Sequence, residues 1–234
     1  MPTSPDAPPP NGPAATAVYW LGTVPYHEAW LLQQTLLAEI YRGSQPETLL
    51  MLEHPPVITL GRRKEARQNV LDAGDVDVVE VERGGDATYH APGQLVCYPL
   101  LALAPHERDL HRFLRNLEQA VIDTLLELNL QTGRRDGFSG VWYRERKLAS
   151  VGVAVKHWVT YHGIALNVSN DVSAFQRLHP CGLAADVMAS VADFLVQPPP
   201  TCETLASRFA LAFSRAFARE LHWVSGHPCQ GGTA

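Results

Sequence analysis

The 234-residue sequence is poor in cysteine and carries an excess of acidic rather than basic residues. Its four cysteines, Cys97, Cys181, Cys202 and Cys229, are too few and too scattered for a disulfide framework. None are paired at metal-ligand spacing. No apolar run approaches the roughly 20 residues that span a membrane. Met1 to Ala15, rich in Pro and Ala, lacks the basic start and hydrophobic stretch of a secretory signal. A net charge of −5 argues against nucleic acid as the main partner. There is no phosphate-binding loop or dinucleotide fingerprint either, because the glycine spacing around Gly84-Gly85 is wrong and the closing lysine is missing. These absences leave the expectation of a reduced, cytoplasmic, monomeric protein. It should have a disordered extension over 1–16, one folded domain over 17–224 and a flexible tail over 225–234.

The 46% apolar content is ordinary for a soluble protein of this size. Ala17 to Gly22 reads as a strand, followed by a helix from Tyr26 to Tyr41 on the spacing of Ala29, Leu32, Leu36, Leu37 and Ile40, with Gly43 ending it. Thr48–Glu53, Val57–Leu60, Asp77–Glu82 and Leu95–Leu101 read as strands, with a Gly- and Pro-containing loop before the last. Leu110, Phe113, Leu114, Leu117, Val121, Leu125 and Leu128 form the apolar stripe of a helix over Glu107–Leu128. Gly140–Tyr143, Leu148–Lys156 and Thr160–Val168 then form a meander. Thr201 caps a last helix running to Leu221, with Leu205, Phe209, Phe213 and Phe217 on its buried face. Few, long helices without βα alternation point to an α+β fold: a mixed, mainly antiparallel sheet with helices packed on one side.

Four segments carry chemistry. Leu178-His179-Pro180-Cys181-Gly182 sets a thiol between proline and glycine, on constrained backbone suited to a nucleophile. Lys147 leads the apolar strand Leu-Ala-Ser-Val-Gly-Val-Ala-Val, and a nearby amine would favour the thiolate of Cys181. Taken alone, Lys147 is a solvent-exposed strand end and Cys181 a small buried hydrophobe. Arg83-Gly84-Gly85-Asp86-Ala87-Thr88-Tyr89-His90-Ala91-Pro92-Gly93-Gln94 surrounds a glycine pair with polar side chains; without them it would read as a plain turn. In His162-Gly163-Ile164-Ala165-Leu166-Asn167, Gly163 either frees a backbone N–H for a substrate oxygen or marks a bulge. Three basic loops, Arg62–Arg67, Arg134-Arg135 and Arg144–Lys147, are either solvated or a docking surface for an acidic macromolecule.

In this order the four segments resemble the octanoyltransferase family of lipoate biosynthesis, over roughly Leu52 to Phe194. The matching positions are Arg83-Gly84-Gly85, Thr88, His90, Pro92-Gly93-Gln94, Lys147, Ser150, Gly152, His162-Gly163, Ala165-Leu166-Asn167 and Pro180-Cys181-Gly182. Ala91 departs from the family, which has glycine there; the methyl is tolerated if the backbone keeps a negative φ. The resemblance implies the fold of biotin and lipoate protein ligases and makes 17–224 the catalytic domain. Cys181 would accept octanoyl from acyl carrier protein as a thioester. Lys147 would lower the pKa of that thiol. The acceptors would be the lipoyl-domain lysines of 2-oxoacid dehydrogenase E2 subunits and glycine cleavage H protein. Arg83, Gly84, Gly85, Asp86, Ala87, Thr88, Tyr89 and His90, with Ser150, Val151 and Gly152, would line the acyl pocket. Backbone amides from Gly163 through Ile164 to Ala165 are candidate oxyanion donors, and His90 a candidate proton carrier. No cofactor or metal is implied. The rival readings are an ATP-dependent lipoate or biotin protein ligase on the same fold, a Cys-His thiol hydrolase, and a non-catalytic acyl- or lipoyl-domain-binding module.

Overall fold

The computed structural model describes residues 15–179 and 185–228. Among them, an eight-stranded sheet has the order β11-β1-β2-β6-β10-β9-β8-β7, and β4, β3 and β5 form a separate three-stranded sheet. The strands of the large sheet are β1 (Thr16–Thr23), β2 (Thr48–Glu53), β6 (Gln94–Leu100), β7 (Gly133–Arg135), β8 (Phe138–Tyr143), β9 (Arg146–Lys156), β10 (Val159–Asn167) and β11 (Leu221–Trp223). Those of the small sheet are β3 (Val57–Leu60), β4 (Asp77–Glu80) and β5 (Ala87–His90). In the large sheet only β1 runs parallel to its neighbours, β2 and β11; the other pairs are antiparallel. The sheet is mixed and mainly antiparallel, as the pattern predicts.

The helices do not lie on one side. Helix α1 (Tyr26–Arg42) covers one face through Ala29, Leu36, Leu37 and Ile40, against Leu50, Leu52, Val96, Tyr98 and Ala165. Helices α2 (Leu110–Leu126) and α3 (Cys202–Phe217) cover the other face, against Leu49, Met51, Leu95, Cys97, Ile164 and Leu166. Alternate residues of β2 and β6 therefore meet different helices. Their unbroken apolar runs, buried throughout β6, mark strands covered on both faces rather than one.

Several boundaries also differ from the reading, each for a local reason. The Asp109 side chain accepts from the Arg112 N–H at 3.0 Å, so α2 starts at Leu110 and the chain before it is a short turn opened by Pro105. Leu110, at the head of the expected stripe, is consequently exposed. Helix α3 closes at Ala218 (φ 51), which frees Leu221–Trp223 to add β11 beside β1. The segment between Gly84-Gly85 and Pro92-Gly93, expected as part of a loop, holds the four-residue strand β5. Cys97 on β6 and Cys202 at the head of α3 are buried in the core on the side of α2 and α3, where they serve packing. Among the described residues, no helix is long and apolar enough to cross a membrane.

Candidate active site

Where the small sheet meets the large one lies a cavity partly open to solvent, with about 520 Å³ of space counting its open mouth. Its floor is the α1-facing side of β9 and β10, with Tyr98 from β6. Its roof is Arg83 to His90, from the loop into β5 and β5 itself. The roof is tied down where the Gly84 N–H donates to the Val153 carbonyl at 3.0 Å.

Most of the residues singled out from the sequence converge here. Arg83, Gly85, Asp86, Ala87, Thr88, His90, Lys147, Ser150, Val151, Gly152, Gly163, Ile164 and Ala165 all line the cavity. Two do not. Gly84 acts through its backbone bond to β9, and the Tyr89 ring turns away to pack on Phe175, with centroids 5.9 Å apart. Alternation along β5 accounts for Tyr89, because neighbouring strand residues face opposite ways. Tyr26, Tyr98, Ser139 and His162 also line the space. His162 belongs to a matched segment. The other three give no local signal: Tyr26 opens an amphipathic helix, Tyr98 sits in an apolar strand, and Ser139 in an edge hairpin.

Lys147 is not a solvated strand end. It is only 3% exposed, and Nζ lies 5.8 Å from the centroid of the Trp142 ring, its cross-strand partner. The Arg83 guanidinium donates to the Thr59 carbonyl (3.0 Å) and hydroxyl (2.9 Å), which aims the side chain along the roof. Asp86 is buried, accepting from the Ala87 N–H at 2.7 Å and from Asn69 Nδ2 at 2.8 Å. Gly163 sits at a kink in β10, not at a bulge: its pairing with β9 continues in register on both sides. His162 before it has φ 55, and a Cβ on Gly163 would overlap the Cys97 carbonyl oxygen. Ala91 takes no positive φ and packs in the apolar cluster of Tyr89 and Phe175, so its methyl is accommodated.

The imidazoles at this end are held neutral. Burial, the neighbouring His54 and Arg83 push His90 well below the ordinary histidine pKa, with partial relief from Gln94. Its Nδ1 donates to Gln94 Oε1 at 2.7 Å, leaving Nε2 as an acceptor beside the Thr59 hydroxyl at 3.3 Å. Gln94 in turn donates to the Tyr89 carbonyl and to Asn167 Oδ1. His162 is lowered to about 4 by burial and by Arg83, against the attraction of Glu82. Its buried Nε2 lies 3.5 Å from Glu82 Oε2 and makes no hydrogen bond. His54 is likewise lowered to about 4 by burial, with Nδ1 donating to the Val24 carbonyl and Nε2 accepting from the Tyr98 hydroxyl.

Cys181, with Pro180 and Gly182, lies outside the described residues, as does Cys229. The chain on both sides of that segment is tied to the cavity wall. The His179 N–H donates to the Asn69 carbonyl at 2.8 Å, and Asn69 is the residue that holds Asp86. On the other side, Met188 bridges to Lys147 and the Ala189 N–H donates to the Lys147 carbonyl at 3.0 Å.

The basic loops divide. Arg134 is bound to Glu118, Arg135 to Glu145, and Arg146 to the Met188 carbonyl. Arg62, Arg63 and Lys64 remain exposed at the cavity roof, where Arg63 stands 3.5 Å from Asp86.

A mixed sheet with helices on both faces is the architecture this chain shares with solved lipoate and biotin protein ligases. A solved lipoate-protein ligase A bound with ATP superposes with a TM-score of 0.73 at 16% identity, over 92% of this chain and 91% of that one. The biotin protein ligase of Aquifex aeolicus in complex with biotin and ATP gives 0.56 at 16% identity, over 86% and 70%. At these identities the likeness is one of fold. Sequence carries the comparison further. An octanoyltransferase of Syntrophotalea carbinolica is 50% identical over 178 residues, 76% of this chain and 83% of that protein. One of Geobacter metallireducens is 46% identical over 192 residues, 81% and 89% respectively. The family model of the lipoyl protein ligase A/B catalytic domain matches residues 25–214, and the chain belongs to that family, among its octanoyltransferases.

Proposed function

We propose that this octanoyltransferase works through a thioester on Cys181, taking octanoyl from acyl carrier protein and delivering it to the lysine of a lipoyl domain. The observation that carries the reading is the buried Lys147. It stands in the cavity wall, and its own backbone anchors the chain that follows the Cys181 segment.

In the first half-reaction the Cys181 thiol gives up its proton and the thiolate attacks the thioester carbonyl of the donor. The tetrahedral intermediate collapses, the carrier leaves as a thiolate that takes up a proton, and octanoyl remains on Cys181. In the second, the neutral amine of the lipoyl-domain lysine attacks the enzyme thioester. It loses a proton as the amide forms, and Cys181 departs as thiolate. A cationic Lys147 favours that thiolate at both stages. His90, held neutral, offers its Nε2 at the cavity as a proton acceptor rather than as a fixed charge, while His162, whose Nε2 faces the Glu82 carboxylate, has Nδ1 as its basic atom. The thioester already carries the activation of the acyl group, so this route draws on neither ATP nor a metal. The exposed Arg62–Lys64 loop at the roof gives an acidic carrier or lipoyl domain a surface of opposite charge. E2 subunits of 2-oxoacid dehydrogenases and glycine cleavage H protein are the acceptors this reading names.

The test is intact mass after mixing with octanoyl-acyl carrier protein and quenching in acid. Wild type should gain one octanoyl increment that hydroxylamine removes, Cys181→Ala should not, and an added lipoyl domain should then take up the group. Wild type without an adduct overturns the thioester route. ATP-dependent ligation that survives Cys181→Ala would replace it with the ligase reading.

A further inference from the structure

Lys147 is held by a residue that never reaches the cavity. Its Cε passes against the backbone of Gly140 in the adjacent strand β8; a Cβ on Gly140 would stand 2.7 Å from that carbon and would overlap the Ala149 carbonyl oxygen. Gly140 takes φ 117, a conformation side-chain-bearing residues rarely adopt, and the β8–β9 register shifts between Val141 and Trp142. What fixes this displaced backbone is Glu118, on α2. Its Oε1 accepts from the Gly140 N–H at 2.8 Å. Its Oε2 accepts from Arg115 at 2.8 Å and from Arg134 Nε at 3.0 Å, and Arg134 is fastened in turn to the Arg115 carbonyl and Gln119.

Glu118 is 1% exposed, on the same helix as the buried Leu117 and Val121. A carboxylate there is expensive unless every lone pair is used, and an apolar residue of similar volume would serve packing as well or better. Its three-way engagement, by Gly140, Arg115 and Arg134, instead joins α2, β7 and β8 at the point where the backbone crosses the Lys147 side chain.

We propose that Glu118 is a positioning residue for the acyl transfer. By clamping the Gly140 backbone against the side chain of Lys147, it fixes where the Lys147 ammonium sits in the cavity. The inference rests on the thiol–lysine reading given above.

Glu118→Gln tests it, because the amide keeps the volume and loses the charge, and its NH₂ end leaves either Gly140 or the arginines without an acceptor. With the fold checked by circular dichroism and melting, kcat should fall about tenfold or more while KM for the octanoyl donor stays within about twofold. The pH midpoint for iodoacetamide alkylation of Cys181 should rise by about half a unit or more as the ammonium loses its place. Arg115→Gln, which removes one of the two arginines from a half-exposed site, should move both readouts less and in the same direction, and it serves where Glu118→Gln does not fold. A folded Glu118→Gln protein with only a lower Tm, and with the kcat and alkylation midpoint of wild type, overturns the proposal and makes Glu118 a fastening between α2 and β8. Lys147→Met separates the two readings. If it leaves the midpoint unmoved, the thiol–lysine reading fails and this inference with it; if it raises the midpoint and Glu118→Gln does not, only the clamp fails.

Discussion

At the scale of single residues the site depends on how closely backbones approach, and Gly163 is the sharpest case. Pro99 sits in the central strand β6 and has no N–H to give its neighbour. Beside it the β10 backbone kinks through His162 and closes on the Cys97 carbonyl, with room for no more than a hydrogen on Gly163. Gly163→Ala should therefore cost about 2–3 kcal/mol through overpacking, seen as a Tm lowered by about 5–10 °C; a Tm within 2 °C of wild type (~2 °C being the smallest shift a 1 kcal/mol change gives) would show that the strand yields freely. From the sequence alone the glycine admitted two readings, an oxyanion donor or a bulge. What the fold imposes is a close approach to Cys97 and Pro99, some sixty residues away, which no local pattern could show. Lys147 was legible for the opposite reason. A long cation at the head of an apolar strand conflicts with its surroundings, and such conflicts concentrate at functional sites.

Secondary elements were legible where apolar residues mark them. Helix α1 falls where its apolar period puts it, and strands β2 and β3 where apolar runs do. Strands β7 and β11 have three residues each, too few for alternation to register, and β5, as short as β3 but without its apolar run, merges into the polar segment around it; all three exist because a neighbouring strand supplies the pairing. The covering of both sheet faces was misjudged since helix stripes show which side of a helix is buried, not against which face. Caps were read better than ends. Thr201 does cap α3, its hydroxyl accepting from the Thr204 N–H at 3.2 Å, and α3 brings Phe217 within 5.0 Å of Phe113 on α2. Thr201→Ala should cost about 1 kcal/mol of stability and lower Tm by about 2–4 °C while transferase activity at 25 °C is unchanged. Chemical denaturation beside an activity assay checks this, and a loss of activity without a loss of stability would tie α3 to the reaction itself.

For the whole molecule, the packing of two sheets over one cavity has a consequence in solution. Tyr26, His54, His90, Tyr98 and His162 meet where α1, β5, β6 and β10 converge; His54 and His90 stand 5.6 Å apart between ring centroids, and Tyr26 is 6.0 Å from His90. Arg83 is the cation among them, and Glu82, bonded to Trp30, is the anion at the edge. Burial keeps all three imidazoles neutral in the fold, with His54 and His162 held down to about 4, against an ordinary value of 6.5. A histidine with a lowered folded pKa binds its proton more readily in the unfolded chain. Stability is therefore complete above about pH 6.5 and falls as pH drops through the window toward 4, where the unfolded chain takes up protons that the fold refuses. Urea midpoints at roughly pH 7, 6 and 5 should decline in that order, before most carboxylates begin to titrate. A midpoint flat across that range would mean these imidazoles titrate in the fold as in the unfolded chain, and one that rises as pH falls would mean they are protonated in the native protein. In the latter event His90 and His162 would also be unavailable as neutral proton acceptors at the cavity.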